Sequence, residues 1–429
     1  MPSQQQNLTD RGMAIGLRAL NRFAGSPVVD RLGLREPAER FLFSASKTTM
    51  RTAAGAGRTF AAAQRLRAPA RQPIARPSGL FDLTPTDEQR MLSESVRDFA
   101  RERLRPAALD ADAACAAPAE LLRQSDELGL TMIGVPEELG GAVTERSAVT
   151  AVLMSEALSH GDMGLAVACL APAAVSTALS LWGNEDQQAT YLPEFVGESI
   201  PAASLAVLEP RALFNPFKLE TSARRSNGGY VLNGVKSLVP RAGDGELFIV
   251  EATAGGIAIE PEPAMGIRAA ATGRLTFEDV ELPAGALLGD AGAEVYAECI
   301  QLGRIGWSAL AVGTGQAVLD YVIPYVKERT AFGEPIANRQ AVAFAVSNIA
   351  IELDGLRLAT YRAAARADQG KSFAREAALA RRLANEHGMS IGSEGVQLLG
   401  GHGYVKEHPV ERWYRDLRAA RLMEGVLLV

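Results

Sequence analysis

The stretch that decides the fold lies near the end of the chain: Val396-Gln397-Leu398-Leu399-Gly400-Gly401-His402-Gly403-Tyr404, then Tyr414-Arg415-Asp416, then Met423-Glu424-Gly425. A run with helical spacing leads into a Gly-Gly-x-Gly turn, and an arginine-rich helix leads to a lone carboxylate followed by glycine. Glycine lets the backbone approach a bulky ligand closely. A carboxylate beside a helix-ending glycine can be placed as a base in a cleft. The stretch therefore predicts a ligand-binding turn and a candidate base.

This pattern resembles the C-terminal helical domain of the flavin-dependent acyl-CoA dehydrogenases. Residues 129–141 (GLTMIGVPEELGG) and 183–193 (GNEDQQATYLP) are similar to motifs of that family's N-terminal domain. The Asn-Gly-x-Lys stretch that ends at Lys236 and the Phe-x-Asp-Val stretch that begins at Phe277 are similar to its middle domain. The motifs follow the family's order over roughly residues 81–425, so the resemblance covers most of the chain.

Composition and periodicity agree with a mainly α fold that contains a small β domain. The chain has 429 residues, of which 47% are hydrophobic and 22% charged, which is enough for two or three domains. We expect a basic, partly ordered extension at 1–80, an N-terminal helical domain at 81–200, a shortened antiparallel β domain at 201–292 and a C-terminal four-helix bundle at 293–429.

Local signals place the individual elements. A helix is predicted to begin at the Thr-Pro-Thr-Asp-Glu stretch 84–88, where Thr or Asp can cap and acidic side chains fill the first turn. Short apolar runs bounded by Gly and Asn predict strands in the middle domain. The predicted strands are 230–234, 246–250 and 272–280, and the predicted long helices of the bundle include 340–370 and 373–399.

Several classes of site and location are disfavoured by the composition. The three cysteines, Cys115, Cys169 and Cys299, are widely spaced, which favours a reducing cytoplasm over a disulfide framework. The four histidines show no metal-ligand spacing, so no metal is expected. The net charge of −6 leaves an acidic body, because Lys and Arg far outnumber Asp and Glu in the segment 1–76. An acidic body argues against nucleic acid as a partner.

The basic extension has three interpretations. It is a helical arm packed on the body, a basic amphipathic segment that contacts an anionic membrane, or a targeting peptide. No apolar run is expected to reach the roughly 20 residues of a membrane span. The expected location is cytoplasmic, with membrane association through this arm as the alternative.

Glu424 is the candidate base. In the family that the chain resembles, the Glu before Gly removes the α-proton of an acyl-CoA thioester, and its backbone N–H donates to the thioester oxygen. The resemblance also implies substrate contacts from Arg304 and Gly425. Some family members carry the base on an earlier helix, but the matching position is Gly303. The alternative for Glu424 is a solvated glutamate at a helix end.

A second set resembles the part of the FAD site that the family donates across a subunit interface. Arg329 and Phe332 lie in Arg-x-x-Phe-Gly, Gln340 follows, and Gln397 and Gly401 lie in the glycine turn. A guanidinium suits pyrophosphate because its planar fork pairs with phosphate oxygens. The alternatives are a helix-end cation for Arg329 and a core side chain for Phe332.

The other half of the FAD site departs from the family pattern. The family's flavin loop, Thr-Glu-Pro-x-x-Gly-Ser-Asp, is replaced by residues 208–215, Leu-Glu-Pro-Arg-Ala-Leu-Phe-Asn. The Trp-Ile-Thr beside the flavin ring is replaced by Leu238-Val239-Pro240. Val426 and Leu428 replace a Thr and a Gln. The chain is therefore identified as a divergent member with a degenerate flavin loop.

Two functions follow from these resemblances. The first is FAD-dependent α,β-dehydrogenation of an acyl-CoA in lipid metabolism, with an electron-transfer flavoprotein as acceptor. The second is a partner subunit that holds no flavin itself and completes the site of a paralogue. Both imply a dimer or tetramer, made of identical or of different chains. The acyl chain length does not follow from the sequence.

Overall fold

The computed structural model describes residues 84–141, 146–197, 199–226, 228–241, 246–247, 254–289 and 292–429. The extension at 1–80, and the predictions made for it, lie outside the described residues. Residues Phe81–Val429 form one compact unit.

The N-terminal part of this unit is helical. Helix α1 (Asp87–Phe99) begins at a capping box in which Thr86 and Gln89 bond each other's backbone N–H, as the cap signal predicted. The chain continues through a π-helix (Ala100–Leu104). It then forms α2 (Arg105–Ala114), α3 (Ala119–Asp126), α4 (Ala148–Gly161), α5 (Met163–Trp182) and α6 (Glu185–Tyr191).

The middle part is a small sheet. Its four antiparallel strands lie in the order β2 (Ser222–Ser226), β3 (Gly229–Val239), β6 (Gly273–Pro283) and β5 (Ile257–Pro261). The edge strands β2 and β5 were not predicted, because β2 is fully exposed and shows no apolar alternation. A separate pair, β1 (Ala203–Ser204) and β4 (Glu246–Leu247), is parallel, whereas only antiparallel pairing was expected.

The C-terminal part is a bundle of long helices. It comprises α7 (Ala293–Glu328), α8 (Gln340–Asp368), α9 (Ala374–Leu399) and α10 (Val410–Leu422). The short hairpin β7 (Thr330–Ala331) and β8 (Glu334–Pro335) connects the first two helices. The mainly α fold with a small antiparallel sheet, predicted from the sequence, is confirmed.

Helices α5 and α7 are long and apolar enough to cross a membrane by length and composition. This differs from the expectation that no apolar run reaches that length. The apolar windows of the two helices are 83% and 67% buried inside the protein, as in core helices of soluble proteins. Their apolar side chains therefore serve the core.

The Tyr-Arg-Asp motif of α10 connects the three parts of the unit. Arg415 pairs with both oxygens of Asp112 on α2, at 2.8 and 2.9 Å. Asp416 accepts the backbone N–H of Ile267, in the turn before β6, at 2.7 Å. Arg412 pairs with Asp162, the N-cap of α5, at 2.9 Å. These buried contacts fix where α10 ends and thus where Glu424 begins.

Candidate active site

Glu424 follows α10 directly and is only 8% exposed. Its carboxylate accepts hydrogen bonds from Arg304 of α7 at both oxygens: Nη2 lies 2.9 Å from Oε1, and Nε lies 3.2 Å from Oε1 and 3.1 Å from Oε2. A second guanidinium, that of Arg381, lies 3.8 Å from Oε1. A bidentate guanidinium compensates the carboxylate charge and fixes its orientation. Glu424 is therefore a buried, paired carboxylate rather than a solvated one.

Arg381 holds the end of α10 in place. This residue of α9, which is also buried, donates to the carbonyl oxygens of Ala420, Arg421 and Met423. The last carbonyls of a helix lack intrahelical partners and carry partial negative charge. Burial, only partly offset by Glu424, lowers the pKa of Arg381 to about 10. Nothing in the sequence marked this residue, because its partners are backbone atoms of a different helix, distant along the chain.

Gly425 reverses the chain behind the base. Its φ of +68° lies in the left-handed region, and a Cβ built there would lie 2.3 Å from the side chain of Val207. Its carbonyl oxygen accepts the indole N–H of Trp307 at 2.9 Å. Glycine is required here for conformation and for close packing. The predicted contact of Gly425 with substrate stays a prediction.

Glu424, Arg304 and Arg381 line an open cavity of about 740 Å³. Further side chains from α9 and α10 complete its wall: Ala378, Arg382, Asn385, Glu386, Met389 and Arg421. Four arginines face two glutamates in this wall, so the cavity carries excess positive charge. Such a surface attracts anions, including the phosphates of a nucleotide.

A loop closes over Arg304 from the middle domain. Phe217 lies in the irregular segment between Pro210 and β2, with its ring centroid 5.9 Å from the guanidinium carbon of Arg304. The same ring meets Tyr296 edge-on at 6.3 Å between centroids. The Tyr296 hydroxyl donates to the Pro216 carbonyl at 2.7 Å. The loop is thus docked on α7 beside the candidate base.

The loop that replaces the family's flavin loop is anchored by Glu209. This buried carboxylate accepts the backbone N–H groups of Glu220 and Thr221 at 2.8 and 2.9 Å, and Lys236 at 3.2 Å. Burial opposes ionisation, but these donors outweigh it and lower the pKa of Glu209 to about 2. Leu213 is 99% exposed with a φ of +55°, where the family pattern has glycine.

The end of β3 offers few donors to a flavin ring. The backbone N–H of Leu238 and the hydroxyl of Ser237 both donate to Glu262 Oε2, at 2.9 and 2.7 Å. Pro240 has no N–H. Flavin needs hydrogen-bond donors beside its ring nitrogens. The donors at the end of β3 are therefore already engaged or missing, in agreement with the departures that the sequence showed.

The outward-facing set has the opposite character. All five of its members are exposed: Arg329, Phe332, Gln340, Gln397 and Gly401. Arg329 has no ion-pair partner among the described residues, and an added Cβ at Gly401 would meet no atom within 4 Å. A free guanidinium, free amides and an open glycine turn fit the phosphates and rings of a dinucleotide.

Tyr325 brings the two segments of this set to one surface. Its hydroxyl lies 2.9 Å from His402 Nδ1 and 3.4 Å from the Leu399 carbonyl oxygen, so the end of α7 contacts the glycine turn. The helix rise places this end about 36 Å from Arg304, because 24 residues separate Arg304 from Glu328. The outward set and Glu424 therefore belong to two different sites.

Comparisons with known proteins agree with this fold. Residues 86–199 match the family model of the acyl-CoA dehydrogenase N-terminal domain, and residues 290–427 match that of the C-terminal domain. The short/branched chain specific acyl-CoA dehydrogenase of Rattus norvegicus is 34% identical over 80% of this chain and 83% of its own. An acyl-CoA dehydrogenase of Bacillus subtilis is 31% identical over 79% and 95%.

Solved structures show the same relationship. The butyryl-CoA dehydrogenase of Megasphaera elsdenii superimposes with a TM-score of 0.75 at 28% identity, over 80% of this chain and 96% of that one. A glutaryl-coenzyme A dehydrogenase in complex with glutaryl-CoA superimposes with a TM-score of 0.73 at 26% identity, over 79% and 92%. With both terminal domains matched and the rat and Bacillus relatives aligned over most of its length, the chain belongs to the acyl-CoA dehydrogenase family.

Proposed function

We propose that this chain takes part in FAD-dependent α,β-dehydrogenation of an acyl-CoA thioester, with Glu424 as the base that removes the α-proton. The observation that carries the proposal is the buried Glu424 carboxylate, held by Arg304 at the wall of a positively charged cavity. The names of the relatives, which include short/branched chain specific and butyryl-CoA dehydrogenases, support an acyl-CoA substrate.

The chemistry needs an ionised carboxylate and a donor for the developing enolate. Arg304 pairs with the Glu424 carboxylate and fixes its orientation. The backbone N–H of Glu424 has no hydrogen-bond partner among the described residues, so it is free to donate to the thioester oxygen. FAD held in the assembled oligomer by the outward-facing set, including Arg329 and Gln397, would supply the hydride acceptor, because no side chain can take a hydride. We infer an electron-transfer flavoprotein as the acceptor that follows.

Glu424→Gln tests the proposed base. The amide keeps the size of the side chain but cannot take a proton, so kcat with butyryl-CoA or 2-methylbutyryl-CoA should fall about 100- to 10,000-fold. The matched control is Glu386→Gln, which changes a glutamate of the same cavity whose ion-pair partner among the described residues is Arg382. Turnover is measured with a dye acceptor and excess FAD. Full activity of the Glu424 variant would contradict the proposal.

A second candidate function is favoured by the inner half of the FAD site. The Leu238 N–H is already engaged by Glu262, whereas Arg329 at the other end of α7 is free among the described residues. These two facts support a subunit that holds no flavin of its own and completes a paralogue's site.

Co-expression with a paralogous acyl-CoA dehydrogenase separates the two functions. A partner subunit yields a yellow mixed oligomer and a colourless chain when expressed alone. A stable, flavin-loaded oligomer of this chain alone would exclude the partner-subunit function and leave the self-sufficient enzyme.

A further inference from the structure

The interior behind Glu424 is already filled. Trp307, one turn after Arg304 on α7, is fully buried and bonded to the Gly425 carbonyl. Residues Val426–Val429 turn inward and are all buried in the two main core clusters. An aliphatic chain bound to a thioester at Glu424 therefore finds no open space on this side.

An apolar cavity of about 410 Å³ lies on the other side of Gly425. It lies between the end of α5, strands β1 and β3, and the first turns of α7. Most of its wall is aliphatic or aromatic: Ala178, Trp182, Leu205, Ala206, Val207, Leu232, Phe277, Leu288 and Val295. This size and lining are typical of a small-molecule pocket.

The cavity also contains a polar group without a partner. The hydroxyl of Ser204 lines the cavity and makes no hydrogen bond with any described residue. Ser204 is only 4% exposed. Buried polar atoms are nearly always paired in folded proteins. The unpaired hydroxyl indicates a ligand that is mainly aliphatic and carries a hydrogen-bonding group.

Two contacts separate this cavity from the candidate base. Val207, in the cavity wall, packs against Gly425. Tyr296, also in the wall, meets Phe217, whose ring in turn covers Arg304. Val207 is buried and packs against backbone, whereas Phe217 is 52% exposed on an irregular loop. Phe217 is therefore the movable part of the barrier.

We propose that this cavity receives the aliphatic part of the acyl substrate and that Phe217 is the gate between the cavity and Glu424. Swinging the ring off Tyr296 and Arg304 joins the apolar cavity to the charged one, and it exposes Arg304 to the substrate's anionic groups. The identity of the ligand rests on the proposed function, whereas the cavity and its barrier follow from the geometry alone.

Cys299 reports on access to the cavity without any need for turnover. Its thiol lies in the cavity wall, three residues after Tyr296 on α7. Burial and the nearby Glu298 carboxylate raise the pKa of Cys299 to about 12. Because the thiolate is the form that reacts, the labelling rate depends on pH, and all variants are compared at one pH. Labelling by N-ethylmaleimide is followed by peptide mass spectrometry, which distinguishes Cys299 from the other two cysteines.

Phe217→Ala should label about tenfold faster at Cys299 than the wild type, since it removes one edge-on and one cation–π contact. The matched control is Phe214→Ala, which removes a ring of the same loop that lies over Arg211 rather than Arg304. Hexanoyl-CoA should slow the labelling in Phe217→Ala. Equal labelling rates in Phe217→Ala and wild type, or no protection by hexanoyl-CoA, would overturn the gate and the cavity assignment.

The result is distinguishable from a failure of the proposed function. If Glu424→Gln keeps full activity while Phe217→Ala still labels faster at Cys299, Glu424 is not the base but Phe217 is the gate. If Glu424→Gln is inactive and the labelling of Cys299 is unchanged by Phe217→Ala, the base stands and the gate is wrong.

Discussion

Helix α7 carries an arginine towards each end, and the surroundings of the two differ completely. Arg304 is bonded to a buried carboxylate and covered by an aromatic ring. Arg329 is exposed and has no ion-pair partner among the described residues. Burying an arginine without a carboxylate partner would destabilise the fold, and Arg304 finds that partner, Glu424, within its own chain. The exposed guanidinium of Arg329 is available to bind a ligand or another chain.

This contrast predicts that the two ends respond differently to substitution. Changes at the Arg304 end should alter the stability of the chain itself. Changes at the Arg329 end should leave stability unaltered and weaken only what binds there.

Arg381→Met should lower the free energy of unfolding by about 3 kcal/mol, since it removes a buried cation from three helix-end carbonyls and from Glu424. The neighbouring Arg382→Met is the control: its side chain is exposed and, among the described residues, forms an ion pair with Glu386 alone, so the change should cost less than about 0.5 kcal/mol. Urea unfolding measures both. Equal losses of unfolding free energy in the two variants would contradict a stabilising role for the buried charges around Arg304.

Asp416 of α10 makes the stability of the chain depend on pH. Burial and the neighbouring Asp162 carboxylate raise the pKa of Asp416 to about 8, although Arg415 and Arg412 lie nearby. The folded state therefore keeps a proton that the unfolded state loses near pH 4. Its stabilising contribution is complete below the unfolded pKa and is lost as pH rises through about 8, by up to about 1.4 kcal/mol per pH unit.

Asp416→Asn mimics the protonated acid and removes this dependence. We expect the variant's free energy of unfolding to change less between pH 6 and pH 8 than that of the wild type. Thermal unfolding at a series of pH values gives the comparison. A wild type whose stability rises over this interval, with the variant parallel to it, would show that Asp416 is ionised in the folded state.

Arg329→Met should change the unfolding free energy by less than about 0.5 kcal/mol, because the side chain is exposed and makes no ion pair with any described residue. FAD affinity of the assembled oligomer should fall about 10- to 100-fold, the loss expected for one charge-assisted phosphate contact. Lys327→Met, also exposed at the end of α7, is the control. Flavin retention after gel filtration is the measurement, and unchanged retention in Arg329→Met would show that Arg329 does not bind FAD.

The sequence predicted the elements better than the contacts between them. Helices α8 and α9 were placed to within two residues at each end, and Gly370 and Gly400 mark where the two helices stop. The degenerate flavin loop was also recognised, since motif departures are visible residue by residue. The pairing of Arg304 with Glu424 spans 120 residues, and no local pattern encodes such a distance.

The roles of individual motif residues were harder to predict. Asp416 served as a marker of the family, and the structure shows it bonded to the Ile267 backbone between domains. Phe217 carried no motif, because an aromatic residue in a loop acquires meaning only from what it packs against. Its neighbours Tyr296 and Arg304 belong to α7, which follows only after the whole antiparallel sheet.

We infer that the two ends of α7 serve different sites, so that each site is completed between chains. Co-expression of Glu424→Gln chains with Arg329→Met chains tests this arrangement, with FAD kept at a concentration that loads wild-type sites but not Arg329→Met sites. A randomly mixed dimer should then show about a quarter of wild-type activity, because one site in half of the dimers combines an intact Glu424 with an intact Arg329. A mixed preparation no more active than either variant alone would contradict the arrangement.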